Sequence, residues 1–213
     1  MISTNDTALN VCEYLLQIKA IKLQPNDPFT WASGIQSPIY CDNRKILSYP
    51  RIRTYIRQEM VKTIEDNFGK PDVIAGVATG GIAIGALVAQ ELGLPFAYVR
   101  SKSKEHGLSN QVEGVVEAGQ SVIVIEDLIS TGKSSLNAVQ ALRDIGCSIK
   151  GMVGIFSYGL AESRDNFIRE KCQLITLADY DSLIQKAIEN KYINEQDLKL
   201  LQLWKKAPAE WSV

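Results

Sequence analysis

The feature that most constrains the fold is a regular alternation of short apolar runs with helix-like segments through the middle of the chain. Segments of helical character include "IAIGALVAQELG" (82–93) and residues 133–145. Apolar strands that alternate with helices are typical of a parallel sheet covered on both faces, so we predict an α/β fold with a parallel sheet flanked by helices. The strands are predicted from four apolar runs: "DVIAGVA" (72–78), "LPFAYVR" (94–100), "SVIVIED" (121–127) and "IKGMVGIFS" (149–157).

The rest of the chain shows no internal repeat, low-complexity tract or linker, so we expect a single domain over residues 1–213. A helix over 6–20 and two short strands in "FTWASGIQSPIYCD" (29–42) would form a small N-terminal hood. We expect the domain to have three parts: the first helix and hood at 1–47, the core sheet and helices at 48–160, and a C-terminal strand and helices at 161–213.

Helix signals refine this outline. Ser48 is expected to cap a helix that has Pro50 in its first turn and ends near Asn67. Two further amphipathic helices are predicted near 179–190 and 194–206.

Composition excludes several classes of protein. Lysine and arginine number 23 against 24 aspartates and glutamates, which gives no bulk attraction to nucleic acid or an anionic membrane. The four cysteines are scattered and the chain has one histidine, a pattern that favours reduced thiols over a zinc site or disulfides. The start carries Asp6 and Glu13 and no basic region, and no apolar run approaches the roughly 20 residues of a membrane span. We therefore expect a cytoplasmic protein.

Polar loops follow three of the predicted strands. In parallel α/β sheets, ligands bind beyond the carboxyl ends of the strands, which lie at one edge. The sequence therefore predicts a ligand site built from three loops: "ATGG" (78–81), "RSKSKEHG" (100–107) and "EDLISTGKSS" (126–135).

The segment "VIVIEDLISTGKSS" (122–135) nearly matches a nucleotide-triphosphate loop, but Asp127 stands where the first glycine belongs. Ser130, Thr131 and Gly132 form a turn into a helix whose free N–H groups suit a phosphate. Lys133 in the first helical turn is poorly placed for the helix dipole unless an anion lies there. Taken alone, the segment is also compatible with an ordinary strand–turn–helix junction capped by a serine.

The two carboxylates of this segment narrow the choice of ligand. Glu126 and Asp127 repel phosphate, so they must face another part of the molecule. Adjacent ribose hydroxyls donate hydrogen bonds that carboxylates accept well. The predicted ligand is therefore a derivative of ribose 5-phosphate.

A cationic loop lies after the second predicted strand. Arg100, Lys102, Lys104 and His106 fall within seven residues and could clamp a pyrophosphate, although such runs are usually solvated loops. The loop lies in a polar stretch able to move as a lid. Residues 78–81 would let the backbone approach a phosphate, or are simply a glycine-rich helix entry.

Together these motifs resemble the type I phosphoribosyltransferase family, whose signature of an apolar strand, two acids and a short Thr/Ser/Gly loop is similar to residues 122–135. "FTWASGIQSPIYCDNR" (29–44) and "YVRSKSKEHG" (98–107) are similar to members that act on orotate. The resemblance implies transfer of the phosphoribosyl group of 5-phosphoribosyl-1-pyrophosphate (PRPP) to orotate, giving orotidine 5′-monophosphate and pyrophosphate in pyrimidine biosynthesis. It also implies Mg²⁺, held mainly by substrate pyrophosphate and ribose hydroxyls without a dedicated set of protein ligands. A homodimer is implied too, with the cationic loop of one chain reaching the neighbour's site.

The resemblance also implies roles for particular residues. Catalysis would involve Lys104, expected to have the largest single effect, with Arg100, His106 and Asp127. Ser130 would also touch orotate. Tyr40 and Arg44 are further candidates for contact with orotate that the resemblance does not assign, and for Tyr40 the alternative is an ordinary core position in its strand. PRPP would be bound by the cationic loop, the glycine-rich turn and the acidic segment: Arg100, Lys102, Lys104, His106, Thr79, Gly80, Glu126, Asp127, Leu128, Ile129, Ser130, Thr131, Gly132, Lys133 and Ser134.

The chain departs from patterns in this family at three places. Ala32 and Ser101 stand where some members carry lysine, and "FSYGL" (156–160) lacks an arginine that some members use for the orotate carboxylate. Arg44 is the hypothetical substitute, and a structural ion pair is the alternative role for it. Two other functions stay open: transfer to a purine base, and a regulator that binds PRPP without catalysis, for which a nucleic-acid module and basic face would be expected.

Overall fold

The computed structural model describes residues 1–30, 34, 36–101, 111–208 and 210–211. The N-terminal elements are α1 (Asn5–Gln17), β1 (Ile21–Leu23), β2 (Phe29–Thr30), β3 (Gln36–Ser37), β4 (Ile39–Cys41), a 3₁₀ helix (Asn43–Ser48) and α2 (Pro50–Phe68). The central elements are β5 (Val73–Val77), α3 (Gly80–Leu92), β6 (Phe96–Val99), β7 (Val112–Glu113), β8 (Ser121–Ile129), α4 (Lys133–Asp144) and β9 (Ser148–Ser157). The C-terminal elements are α5 (Ala161–Arg169), β10 (Leu174–Asp179), α6 (Tyr180–Glu189) and α7 (Glu195–Lys206).

A six-stranded sheet in the order β10-β9-β8-β5-β6-β7 forms the centre of the fold. Its strands run parallel except β7, which pairs antiparallel with β6. Val77 of β5 lies opposite Val99 of β6, and Gly76 lies opposite Ile125 of β8, so these three strands end at one edge. The predicted parallel sheet is confirmed, and the antiparallel edge strand is an addition to it.

Both faces of the sheet are buried, as expected from strands with continuous apolar sequence. Ile74 and Ile123 point into a core that contains residues of α1, α2, α3, α6 and α7. Val73 and Val122, the preceding residues, point to the opposite face against α4 and α5. Each fully buried aliphatic side chain stabilises the fold by about 1.5–3 kcal/mol, so burial on the two faces of the sheet is a main source of its stability.

The N-terminal hood consists of two small antiparallel sheets, β1 with β4 and β2 with β3. The expected strand pair within 29–42 is therefore present, but β4 pairs with β1 from outside that segment. The prediction that Ser48 caps α2 was wrong. The N-cap residue of α2 is Tyr49, and Pro50 is the first helical residue. No side chain of the described residues makes a capping hydrogen bond at this end of the helix.

The two predicted amphipathic helices α6 and α7 both bury apolar residues in the core on one face of the sheet. Trp204 of α7 is fully buried, and the Tyr180 hydroxyl donates a hydrogen bond to the carbonyl of Leu201 over 3.1 Å. Asn194 and Asp197 form a reciprocal capping box at the start of α7. Within the described ranges, no helix is both long enough and apolar enough to cross a membrane.

Candidate active site

A cleft of about 390 Å³ lies at the carboxyl edge of the sheet, under the hood. It brings together residues from the hood segment, the turn after β5, the end of β8 and the start of α4. The lining includes Cys41, Asp42, Arg44, Thr79, Gly80, Glu126, Asp127, Leu128 and Ser134. Two of the three predicted loops therefore meet at one site.

Glu126 lies at the base of this cleft and is only 5% exposed. Its Oε2 accepts a hydrogen bond from the Ser135 hydroxyl at 2.8 Å, and its Oε1 accepts one from the backbone N–H of Asp127 at 3.0 Å. Burial first, and then the nearby charge of Asp127, raise the pKa of Glu126 from the usual 4.5 to about 8. The carboxyl group is thus fixed in place between strand and helix.

Asp127 is half-buried and lies against the glycine-rich turn. A Cβ atom on Gly80 would lie 2.2 Å from the carboxylate oxygens of Asp127, so only glycine lets the turn approach this closely. The Ala78–Thr79 peptide of the turn is cis. The acid of β8 and the backbone of the β5–α3 turn therefore form one continuous surface.

Asn43 ties the hood to the acidic strand, a contact that the sequence reasoning missed. The side chain is 1% exposed, and its Nδ2 donates a hydrogen bond to the carbonyl of Asp127 over 2.6 Å. Its Oδ1 accepts from the Cys41 thiol at 3.2 Å. The "CDNR" segment (41–44) was noted for Arg44, but no periodicity singled out its neighbour as a link between two parts of the fold.

Residues 130–134, here called the phosphate loop after the ligand predicted for them, follow the end of β8. Leu128 and Ile129 are the last residues of β8, and Ile129 is fully buried, so only its backbone could face a ligand. Gly132, with φ of 80°, stands at the cap of α4, and no side chain among the described residues caps that helix. The alternative of a serine-capped junction was therefore wrong, while the predicted start at Lys133 is confirmed.

Lys133 has an acidic partner in the structure. Its Nζ lies 3.1 Å from Oε1 of Glu162 on α5, and both side chains are exposed. Exposed ion pairs of this kind contribute little, about 0–1 kcal/mol, so the lysine can exchange this partner for an anion.

The two candidate orotate residues of the hood are solvent-exposed. The Arg44 side chain is 57% exposed, and its Nε lies 2.7 Å from Oδ1 of Asp42 at the cleft. Tyr40 is 41% exposed and packs against Phe29 with ring centroids 5.5 Å apart. Tyr40 is therefore not a buried core residue.

Of the four predicted cations of the cationic loop, Arg100 lies within the described residues. Its backbone N–H donates to the carbonyl of Gln111 over 2.9 Å, and its Nη1 lies 3.6 Å from Oε1 of Glu113. Three predicted residues of this loop, Lys102, Lys104 and His106, lie outside the described residues.

The described part of the chain contains no group of three or more histidine, cysteine, aspartate or glutamate side chains placed to hold a metal ion. Glu126 has both oxygens engaged by protein donors. Asp127 and Asp42 also line the cleft, and Asp42 accepts a hydrogen bond from Nε of Arg44.

Three features together define a class of protein: the parallel sheet, the acids at the end of β8 and the uncapped start of α4. Comparison with known families identifies that class. The phosphoribosyl transferase domain matches residues 43–173, and the chain belongs to the phosphoribosyltransferase family. It is 52% identical over 203 residues to the orotate phosphoribosyltransferase of Porphyromonas gingivalis, covering 95% of this chain and 97% of that one.

Solved structures agree on the fold. The orotate phosphoribosyltransferase of Aeropyrum pernix superposes with a TM-score of 0.75 at 24% identity, covering 86% of this chain and 99% of that one. UMP synthase of Leishmania donovani gives a TM-score of 0.78 at 22% identity and covers 93% of this chain but 42% of that protein. The fold expected from the sequence, with its small hood, is confirmed.

Proposed function

We propose that this protein transfers the 5-phosphoribosyl group of PRPP to orotate, releasing orotidine 5′-monophosphate and pyrophosphate in pyrimidine biosynthesis. The observation that carries the proposal is the cleft at the carboxyl edge of the sheet. In this cleft Asp127 faces the Thr79–Gly80 turn, and the cleft opens toward the phosphate loop. The identity of 52–54% to curated orotate phosphoribosyltransferases over 93–95% of the chain supports the choice of base.

The acids and the phosphate loop would hold the phosphoribosyl part of PRPP. Asp127 and Glu126 would accept hydrogen bonds from the ribose hydroxyls, and each carboxylate oxygen has lone pairs beyond those already engaged. The uncapped N–H groups at the start of α4, with Thr131, Lys133 and Ser134, would bind the 5-phosphate.

The opposite end of PRPP would be bound by cations and by the glycine-rich turn. Gly80 has no side chain, so the backbone of the turn at this residue can approach the pyrophosphate closely. Arg100, Lys102, Lys104 and His106 would supply positive charge. In a homodimer this loop would serve the neighbouring chain's site.

The chemistry requires charge stabilisation more than a protein nucleophile. Breaking the bond between the anomeric carbon and pyrophosphate builds positive charge on the ribose and negative charge on the leaving group. The Asp127 carboxylate beside the ribose favours the first charge, and the cationic loop favours the second. Orotate is the nucleophile, so holding it against the anomeric carbon is the remaining task of the protein.

Mg²⁺ fits this site if the substrate carries it. Glu126 is already held by two protein donors and Asp42 is paired with Arg44, so protein carboxylates would supply few ligands and pyrophosphate and ribose hydroxyls would provide most of them. When bound, the ion would neutralise charge on the leaving pyrophosphate.

The base would lie under the hood. Ser130 follows the acidic strand, and Arg44 and Tyr40 come from the hood segment above the cleft. Arg44 would exchange Asp42 for the orotate carboxylate, because a guanidinium binds carboxylates through paired N–H groups.

We further propose that the chain acts as a single domain in the cytoplasm, without nucleic-acid or membrane partners.

A test of base choice separates this function from its alternatives. Purified protein is incubated with PRPP, Mg²⁺ and either orotate, adenine, guanine or hypoxanthine, and nucleotide products are separated by chromatography. Orotidine 5′-monophosphate from orotate, with no purine nucleotide, is the expected result. A purine nucleotide would contradict the choice of base, and PRPP binding without any product would favour the regulator.

A further inference from the structure

A buried asparagine on α5 contacts the phosphate loop from outside the family's signature segment. Asn166 is 6% exposed, and its Nδ2 donates a hydrogen bond to the carbonyl of Thr131 over 2.9 Å. Its Oδ1 accepts from Nη2 of Arg169 at 2.7 Å, which fixes the orientation of the amide.

This contact fixes the direction of a backbone N–H group. In a planar trans peptide, the C=O and N–H groups point in opposite directions. Because the carbonyl of Thr131 points toward Asn166, the N–H of Gly132 in the same peptide points away from α5. A loop that binds an anion through N–H groups needs its carbonyls turned away and satisfied elsewhere.

The neighbouring residue of α5 limits the same peptide sterically. A Cβ atom on Gly132 would lie 2.6 Å from Cε2 of Phe167, so the Phe167 ring packs directly against the glycine. Gly132 also has a φ of 80°, a conformation that glycine adopts without strain. Asn166 and Phe167 therefore hold one turn of backbone at two consecutive residues.

We propose that Asn166 is a positioning residue for the 5-phosphate, acting by orienting the Thr131–Gly132 peptide. The inference rests on the proposed function, since it assigns the phosphate loop to the 5-phosphate of PRPP. Asn166 does not itself touch the ligand. Its effect should appear in affinity for a phosphate monoester and not in affinity for pyrophosphate, which binds at the other end of the cleft.

The test compares Asn166→Ala and Asn166→Asp with a matched control, Asn67→Ala. Asn67 Nδ2 also donates to a backbone carbonyl, that of Thr63, over 2.9 Å, but within α2 and away from the cleft. Asn166→Asp keeps the acceptor for Arg169 and removes the donor to Thr131. Binding of ribose 5-phosphate and of Mg-pyrophosphate is measured by calorimetry, and thermal stability is measured alongside.

Both Asn166 variants should bind ribose 5-phosphate about tenfold more weakly, because each loses the hydrogen bond that orients the Thr131–Gly132 peptide. The affinity for pyrophosphate should be unchanged. Asn67→Ala should change neither affinity. Equal losses for both ligands, or no loss for ribose 5-phosphate, would overturn the inference. Failure of the proposed function would show differently, in wild-type protein that makes no orotidine 5′-monophosphate, whereas failure of the inference shows only in the variants.

Discussion

The hydroxyl of Ser135 donates a hydrogen bond to Oε2 of Glu126 over 2.8 Å and so joins the first turn of α4 to the end of β8. The other oxygen of Glu126 is held by the backbone N–H of Asp127. Two parts of the proposed PRPP site, the acid pair and the helix start, are therefore coupled through one buried carboxyl group.

Replacing Ser135 by alanine should lower the free energy of unfolding by about 1–3 kcal/mol, because a buried carboxyl group loses a donor. The substitution should also raise the pKa of Glu126 further, since the Ser135 hydrogen bond favours the charged form. Urea unfolding near neutral pH measures the stability change. The adjacent, exposed Ser134→Ala serves as control and should change stability little. Equal stabilities of the two variants would contradict the proposed role of the Ser135 bond.

The raised pKa of Glu126 predicts that stability falls as pH rises. The folded protein keeps a proton on Glu126 up to about pH 8, while the unfolded chain releases it near 4.5. Between pH 4.5 and about pH 8 the folded state therefore binds more protons than the unfolded state. The stabilisation that Glu126 contributes to the free energy of unfolding is fully present below the unfolded pKa and is lost as the pH rises through the folded pKa. Glu126→Gln removes this titration. Denaturation curves across the window should show a steeper decline for wild type than for Glu126→Gln, and parallel declines would refute the assignment.

Gly80→Ala should lower kcat/KM at least about tenfold, because the new Cβ would displace the Asp127 carboxylate from its position beside the turn. Gly93→Ala is the control. Gly93 has a φ of 64° but nothing within 4 Å of a Cβ atom, so that variant should cost stability and leave turnover intact. Steady-state kinetics with both substrates decides the matter. Wild-type activity in Gly80→Ala would mean that Asp127 need not lie against the turn.

Arg44→Ala should raise the KM for orotate by about tenfold or more and leave the KM for PRPP nearly unchanged, because it removes the proposed carboxylate partner. Arg164→Ala is the control, since Arg164 is also exposed and lies 3.8 Å from an acid, Asp165, on α5. An unchanged orotate KM in Arg44→Ala would leave only the Asp42 ion pair as the role of Arg44.

The central sheet could be predicted from the sequence because its strands are apolar on both faces, a pattern visible in any short window. Residues 121–127 were predicted as a strand, and β8 extends through Ile129. Residues 161–169 were not predicted as a helix, since "AESRDNFIR" is short and mostly polar. That helix nevertheless supplies Glu162, Asn166 and Phe167 to the phosphate loop.

Site residues could be predicted where the residues that act together are adjacent in the sequence, and were missed where they are far apart in it. Glu126 and Asp127 attract notice as adjacent acids at the end of a strand. Asn43 reaches Asp127 across 84 positions of sequence, and Asn166 reaches Thr131 across 35. Such contacts depend on how separate elements pack, so no spacing within one segment could reveal them.

The most direct test of the account is the rate of orotate consumption in the presence of PRPP and Mg²⁺, followed by the loss of orotate absorbance, for wild type and Lys104→Ala. The account predicts consumption by wild type that needs both PRPP and Mg²⁺, and a rate about 10²–10³ lower in the variant, the usual cost of removing one electrostatic donor from a transition state. A wild-type protein that binds PRPP and consumes no orotate would contradict the central claim. Full activity in Lys104→Ala would leave the reaction in place and remove the cationic loop from it.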